Sequence, residues 1–467
     1  MLTGTDRYQQ TSFFGTDLVD QLDPSDPLLL LSNVIPWQEF DRAFAGYYAD
    51  NIGRPSIPIR VLVGLLILKQ LENLSDENIV LQWKRNPYYQ VFCGLKTYQN
   101  AVPCHATELV HFRKRIGQSG IEKIFAMSVS LHGQAVEEKT VNVDTTVQEK
   151  NITYPTDGKL AIKIINRLNK LAKKQRIRQR RTFIKEVKDM RLKLRFFRHV
   201  KKRASARKAM KRLRTIAGIL LRELQRKLPA AVLADVAEDF ALYERVLQQQ
   251  KHDKNKIYSL HEPQVYCVAK GKDHKPYEYG AKASIVSTAQ GGIILSAVNH
   301  PQNIHDSHTL EDVLTKASEV RETAIEEAVC DRGYRGKKEV ADVQIVLPKP
   351  PLKKDNRYQR DKKRKKCRRR AAIEPLIGHL KSDFRLGRNF LKGTLGDAIN
   401  LLMAACAWNL RKWMLKALSR IFCALNWAIS LLFLALVAQC KQFGFNVVPG
   451  KMNCAPISFC IPPNLGF

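Results

Sequence analysis

Acidic residues are scarce in this chain: 44 Asp and Glu face 78 Lys and Arg, a formal charge of +34. The shortfall is local. Lys159 to Arg214 holds 24 Lys and Arg against Glu186 and Asp189, and Lys353 to Arg370 holds 12 against Asp355 and Asp361, which together carry nearly the whole excess. Charge concentrated in this way is the footprint of a polyphosphate partner, since each neutralised phosphate releases counterions. Paired cysteines are missing as well. The ten cysteines form no CxxC and no metal-ligand spacing, which excludes a disulfide framework and leaves the reduced thiols of a cytosolic protein. The segment MLTGTDRYQQTSFFG lacks a basic stretch followed by an apolar run, so no signal peptide is expected. CVAKGK carries turn glycines without the phosphate-loop pattern, which argues against nucleotide binding.

The 467 residues suffice for two or three domains and a substantial core. The first part, residues 1–136, reads as helical. Trp37, Phe40 and Phe44 mark a small helix, Pro58 opens the buried-type run IRVLVGLLILKQL, and Ser75 with Asp76 and Glu77 starts DENIVLQWKRN. Glu108 to Ile116 and Ile121 to Ala135 follow as helices, and the Pro58 and Ser75 pair has the outline of a helix-turn-helix. At Lys139 the pattern changes, because KTVNVDTTV alternates and is β-branched, a strand ending near Asp144. Gly158 to Gln250 is then a basic helical insertion, with apolar spacing at Ile162, Ile165, Leu168 and Leu171 and again at Leu213, Ile216, Leu220 and Leu224. Strands resume with QVYCVAK, YEYGAKASIVSTA and GGIILSAVN. A helix over His308 to Ser318, a strand ending at Asp331, the strand QIVLP, a basic loop and a late helix complete the order.

Proline fits a helix only in its first turn, so Pro375 puts Glu374 at the start of that late helix. From Glu374, Gly378, Lys381, Arg385 and Arg388 recur at steps of three or four, one face with a carboxylate at its head and basic groups behind. Asp144, Asp331 and Glu374 thus each stand where an element ends, and carboxylates from such ends can share one site. Clustered carboxylates repel unless a divalent cation compensates them, and two hard ions clamp the attacking and leaving oxygens in phosphodiester chemistry. Arg332 and Arg335, with Tyr334, follow Asp331 where a phosphate would lie, and Lys381 faces the same way. Lys282 lies on an alternating strand, pointing to DNA or to solvent. His379 reads as structural, and His305, Asp306 and His308 as a cap before a helix.

NVDTTV, YSLHEPQVYCVAKGK, YGAKASI, CDRGYRG and AAIEPLIGHLKSDFRLGRNFLKGTLGDAINLLMAACAWNLR, in this order over roughly residues 56–410, resemble the DDE transposases of bacterial insertion sequences, in the broad IS5 group. The resemblance implies a mixed α/β fold: an RNase H-like core over 137–410, a helical DNA-binding domain over 1–136, and the basic insertion after the first core strand. It puts the family's two Asp and its Glu on Asp144, Asp331 and Glu374, holding two Mg²⁺ ions, or Mn²⁺ in their place. It implies strand cleavage and strand transfer on double-stranded DNA, at terminal inverted repeats and target, by a homodimer or higher oligomer in the cytoplasm. An RNase H-fold nuclease and an inactive DNA-binding regulator are the alternatives. The last part, 411–467, contains the uncharged run Ile421 to Cys440, just long enough for a bilayer at about 1.5 Å per residue. Asn426, Ser430 and Gln439 favour a buried or oligomer-forming helix instead, and no membrane partner is expected.

Overall fold

The computed structural model describes residues 17–49, 55–250, 252–269 and 275–442, without the side chains of 424–426 and 428–442. The N-terminal segment MLTGTDRYQQTSFFG, the glycine turn of CVAKGK and the tail after residue 442 lie outside the described residues. The chain forms two units, Met1–Trp413 and Met414–Phe467.

Side-chain caps start several of the N-terminal helices. Asp26 accepts from the Leu28 amide ahead of α1 (Pro27–Val34), whose Pro27 sits where a missing N–H costs nothing. α2 (Trp37–Ala45) follows, and the run after Pro58 is α3 (Ile59–Leu71), buried almost throughout. Ser75 accepts from the Asn78 amide and opens α4 (Asp76–Arg85). After α5 (Pro87–Phe92) comes α6 (Ala106–Ser130), which bends at Gly117, φ 62°, and so joins two segments that read separately in the sequence. Within this layer Asp76 pairs with Lys69 at 2.8 Å and with Arg113 at 2.6 Å. Burial pulls the Asp76 carboxyl up, but Arg113 and Lys69 outweigh it and hold it down to about 2. Burial pushes the Lys69 amine down to about 8.

Among the described residues β1 (Thr140–Glu149), β2 (Tyr266–Ala269), β3 (Tyr277–Thr288), β4 (Ile294–His300), β5 (Glu327–Val329), β6 (Glu339–Val340) and β7 (Val343–Val346) form one mixed sheet. Its order is β2-β3-β1-β5-β7-β6, with β4 also paired to β3. β1 runs antiparallel to β3 as far as Glu149, but its parallel pairing with β5 covers only Thr140 to Asn142. Asp144 is therefore not at the end of its strand, as the sequence suggests; β1 continues past it because β3 goes on supplying hydrogen bonds. α12 (Leu310–Glu319) packs on β4 and β3.

Between β1 and β2 the insertion folds as α7 (Asp157–Lys174), α8 (Ile184–Leu194), α9 (Arg203–Lys227), α10 (Ala230–Asp235) and α11 (Ala237–Gln248) around a core of its own. Ile165, Leu168, Leu213, Ile216, Leu220 and Leu224 are buried in it, as their spacing predicts, while Ile162 and Leu171 pack at its margin.

The stretch read as a basic loop is a helix, α13 (Arg357–Ala371), opened by an Asn356–Gln359 capping box. None of its residues is buried, so it has no apolar period for a sequence reading to find. α14 (Ile373–Ser382) follows after Ala372, and then α15 (Gly393–Gln442). In the second unit Phe422 and Trp427 are exposed. Among the described residues no helix is long and apolar enough to cross a membrane. Apart from Ile421, Phe422, Cys423 and Trp427, the side chains of the apolar run lie outside the described residues.

Candidate active site

The register of two strands brings two of the predicted carboxylates side by side. The last parallel pair of β1 and β5 is Asn142 with Val329, and Asp144 and Asp331 each stand two residues further on. Period-two alternation then places Asp144 on the face of Asn142. Asp144 is held locally, its Oδ1 accepting from the Thr145 amide at 2.7 Å. Asp331 caps a short 3₁₀ turn, Arg332–Tyr334, by accepting from the Gly333 amide at 2.7 Å. Glu374 arrives from the first turn of α14, as Pro375 requires; α14 packs on β1, and its Ile373, Leu376 and Leu380 are buried.

The three carboxylates meet at a residue the sequence reading missed, Arg370. Its Nη1 lies 2.6 Å from Glu374 Oε1, and its Nη2 lies 3.5 Å from Asp144 Oδ2 and 3.7 Å from Asp331 Oδ2. The cluster opens outward: side-chain exposure rises from 14% at Asp144 to 37% at Asp331 and 60% at Glu374. The available signal was the spacing, since Arg370 and Glu374 are four apart on adjoining helical turns, but α13 itself was not legible. Asn142 secures the arrangement from below, donating from Nδ2 to the Arg369 carbonyl at 3.3 Å.

The surroundings are negative. Burial pushes the Cys330 thiol up to about 12, with Asp331 and Asp144 adding to it, and burial together with Asp144 and Asp306 raises the fully buried Tyr334 phenol well above its usual value. Asp306 belongs to the same neighbourhood: a Cβ on Gly333 would stand 2.9 Å from Asp331 Oδ1 and 3.2 Å from Asp306 Oδ2. Asp306 Oδ1 accepts from Thr145 Oγ1 at 3.0 Å and from Lys282 Nζ at 2.9 Å.

Three oxyanions around one positive centre suit a hard divalent cation in their chemistry. Their spacing is that of ion pairs to a guanidinium, and among the described residues no group of three or more His, Cys, Asp or Glu is drawn together at metal-ligand spacing. Arg370 stands between Asp144, Asp331 and Glu374 in this arrangement.

The predicted DNA contacts divide. Arg332 and Arg335, just past Asp331, are exposed, and Lys381 is half-buried on α14. Arg385 and Arg388 do not continue that helical face. α14 stops at Ser382, and Arg385 takes a left-handed φ of 61°. Arg385 donates to the Asn73 carbonyl at 2.9 Å, docking this turn on the N-terminal layer beside the Gln70 bond to the Phe384 carbonyl at 2.6 Å. Arg388 is exposed. Lys282 points neither to solvent nor to a groove, since it is 8% exposed and its ammonium is taken by Asp306 and the Ile304 carbonyl. His379 pairs with Asp383 at 2.9 Å, and His305 caps the 3₁₀ turn before α12.

Two stretches match known domain families: residues 16–115 a Transposase domain (DUF772) and residues 246–410 a Transposase DDE domain. The second contains Asp331, Arg370 and Glu374, whereas Asp144 and most of the basic insertion fall between the two. A relative, the uncharacterized protein ORF8 in the nfe locus of Rhizobium meliloti, is 40% identical over 185 residues, which is 38% of this chain and 89% of the relative. No solved structure matches. On these two matched domains the chain belongs to the DDE transposases.

Proposed function

We propose that this transposase cleaves DNA strands at the ends of an insertion sequence of the IS5 group and joins them to target DNA, with Asp144, Asp331 and Glu374 as its catalytic carboxylates. The observation that carries the reading is the meeting of carboxylates from β1, from the end of β5 and from α14 at one cationic centre. The order β4-β3-β1-β5-β7, antiparallel on one side of β1 and parallel on the other, supports an RNase H-like core over 137–410. The helical layer over 1–136 and the basic insertion are its accessory parts.

When bound, Mg²⁺ supplies charge stabilisation at the attacking and leaving oxygens and a nucleophile at neutral pH. Asp144 and Asp331 would hold it, each pre-oriented by a backbone N–H, and Glu374 would complete the set from the more exposed side. Arg332 and Arg335 grip the phosphate next to Asp331. The insertion, with most of the excess charge, binds the backbone without reading bases. Incubating the full chain with its own element's ends and Mg²⁺ tests the proposal: nicked ends and strand-transfer products are expected. Nicking without joining would favour a nuclease, and neither product with DNA binding intact would favour a regulator.

A further inference from the structure

We propose that Arg370 is a built-in countercharge of the carboxylate centre, holding it assembled before a divalent cation binds and having to leave for the cation to enter. This rests on the carboxylate reading above and adds a competitor to it. One guanidinium reaches all three acids, at 2.6, 3.5 and 3.7 Å. Without a positive charge there, three carboxylates gathered by β1, β5 and α14 would repel one another. The placement is built in. α13 and α14 are joined through Ala372 alone, Asn142 pins the Arg369 carbonyl, and Arg370 lies one turn from Glu374.

The guanidinium is also poorly satisfied where it is. Its Nε–H is buried and finds no hydrogen-bond partner, which is a cost recovered when the side chain swings out. A guanidinium and a divalent cation cannot share these oxygens at coordination distance. Metal binding is therefore coupled to displacement of Arg370, and the free site is kept compact but closed.

The test is a titration of the metal-stripped full chain with Mn²⁺ in the absence of DNA, followed by calorimetry and by the metal-induced rise in melting temperature. Arg370→Gln should bind Mn²⁺ more tightly, on the order of tenfold given three part-exposed ion pairs lost as competitors. Its melting temperature without metal should fall and its rise with metal should exceed that of the parent. Arg369→Gln, the same charge change one residue away, should shift affinity by no more than about threefold. If Arg370→Gln does not fold, Arg370→Lys, whose compact ammonium cannot fork across the three acids, should still bind more tightly than the parent. Unchanged or weaker binding in whichever variant folds, with Asp331→Asn abolishing binding, would overturn the countercharge and leave the carboxylate reading standing. If Asp144→Asn and Asp331→Asn bind Mn²⁺ like the parent, both fall together.

Discussion

Two clusters in this protein join acids to bases in opposite proportion. In the N-terminal layer one carboxylate, Asp76, meets two cations, Lys69 and Arg113, and all three side chains are no more than 13% exposed. At the candidate site one cation, Arg370, meets three carboxylates, and exposure reaches 60% at Glu374. The first cluster is balanced by geometry, with bidentate hydrogen bonds of 2.9 and 2.6 Å from Arg113, and it ties α3, α4 and α6 together. The second is left short of positive charge and open on one side. An excess of acid that the fold does not neutralise marks a place prepared for something from outside, whereas a buried cluster whose single acid is gripped by two cations marks structure.

The comparison breaks most visibly if the roles are exchanged. Asp331→Asn should reduce DNA nicking by about a thousandfold or more, since the chemistry needs the charge, while stability moves by under about 1 kcal/mol because the part-exposed carboxylate's attraction to Arg370 is offset by repulsion from its acidic neighbours. Denaturant unfolding beside a nicking assay separates the two effects. Asp76→Asn should do the reverse. Leaving Lys69 and Arg113 buried without their partner costs about 3–5 kcal/mol, and nicking per folded molecule should persist.

The pH dependence sharpens the same contrast. The folded-state pKa of Asp76 is depressed from 3.8 to about 2, so its contribution is fully present above 3.8 and is lost as pH falls towards about 2. Asp76→Asn should remove that limb of the acid-unfolding curve. Lys69, depressed from 10.5 to about 8, makes the protein gain stability as pH rises between those values, since the unfolded chain then holds the extra proton.

Smaller effects follow from crowding and from the insertion. Gly333→Ala would put a methyl 2.9 Å from Asp331 Oδ1 and 3.2 Å from Asp306 Oδ2, displacing the Asp331 carboxylate proposed above as a metal holder. A loss of about 10–100-fold in nicking, with DNA affinity unchanged, is expected for a shift of that kind. Replacing four exposed basic residues of the insertion, Arg178, Arg181, Arg195 and Lys201, should weaken binding to every DNA sequence alike and flatten the salt dependence by roughly three to four units of slope. A loss confined to one sequence would mean that the insertion reads bases.

How much of this was legible follows from what each residue depends on. Glu374 at a helix start and the strand of Asp144 were readable because proline chemistry and β-branched alternation are local. The insertion's core was readable because its apolar period survives among the charges. α13 was not, since a helix with no buried face leaves only capping and propensity as signals, and Arg370 went unseen with it. The supposed face from Glu374 to Arg388 failed at one dihedral, the left-handed turn at Arg385, which serves docking onto Asn73. Lys282 was misplaced because its partner Asp306 is 24 residues away and reached only through the fold.

The most direct test of the central claim is Glu374→Gln in the full chain, assayed for DNA binding by gel shift and for Mg²⁺-dependent nicking and joining on the same substrate. The exchange keeps the side chain's shape and removes one negative charge facing the phosphates, so binding should be equal or slightly tighter while both products disappear. Nicking at nearly the parent rate would make Glu374 an ordinary first-turn carboxylate paired to Arg370, and would contradict the assignment of this site.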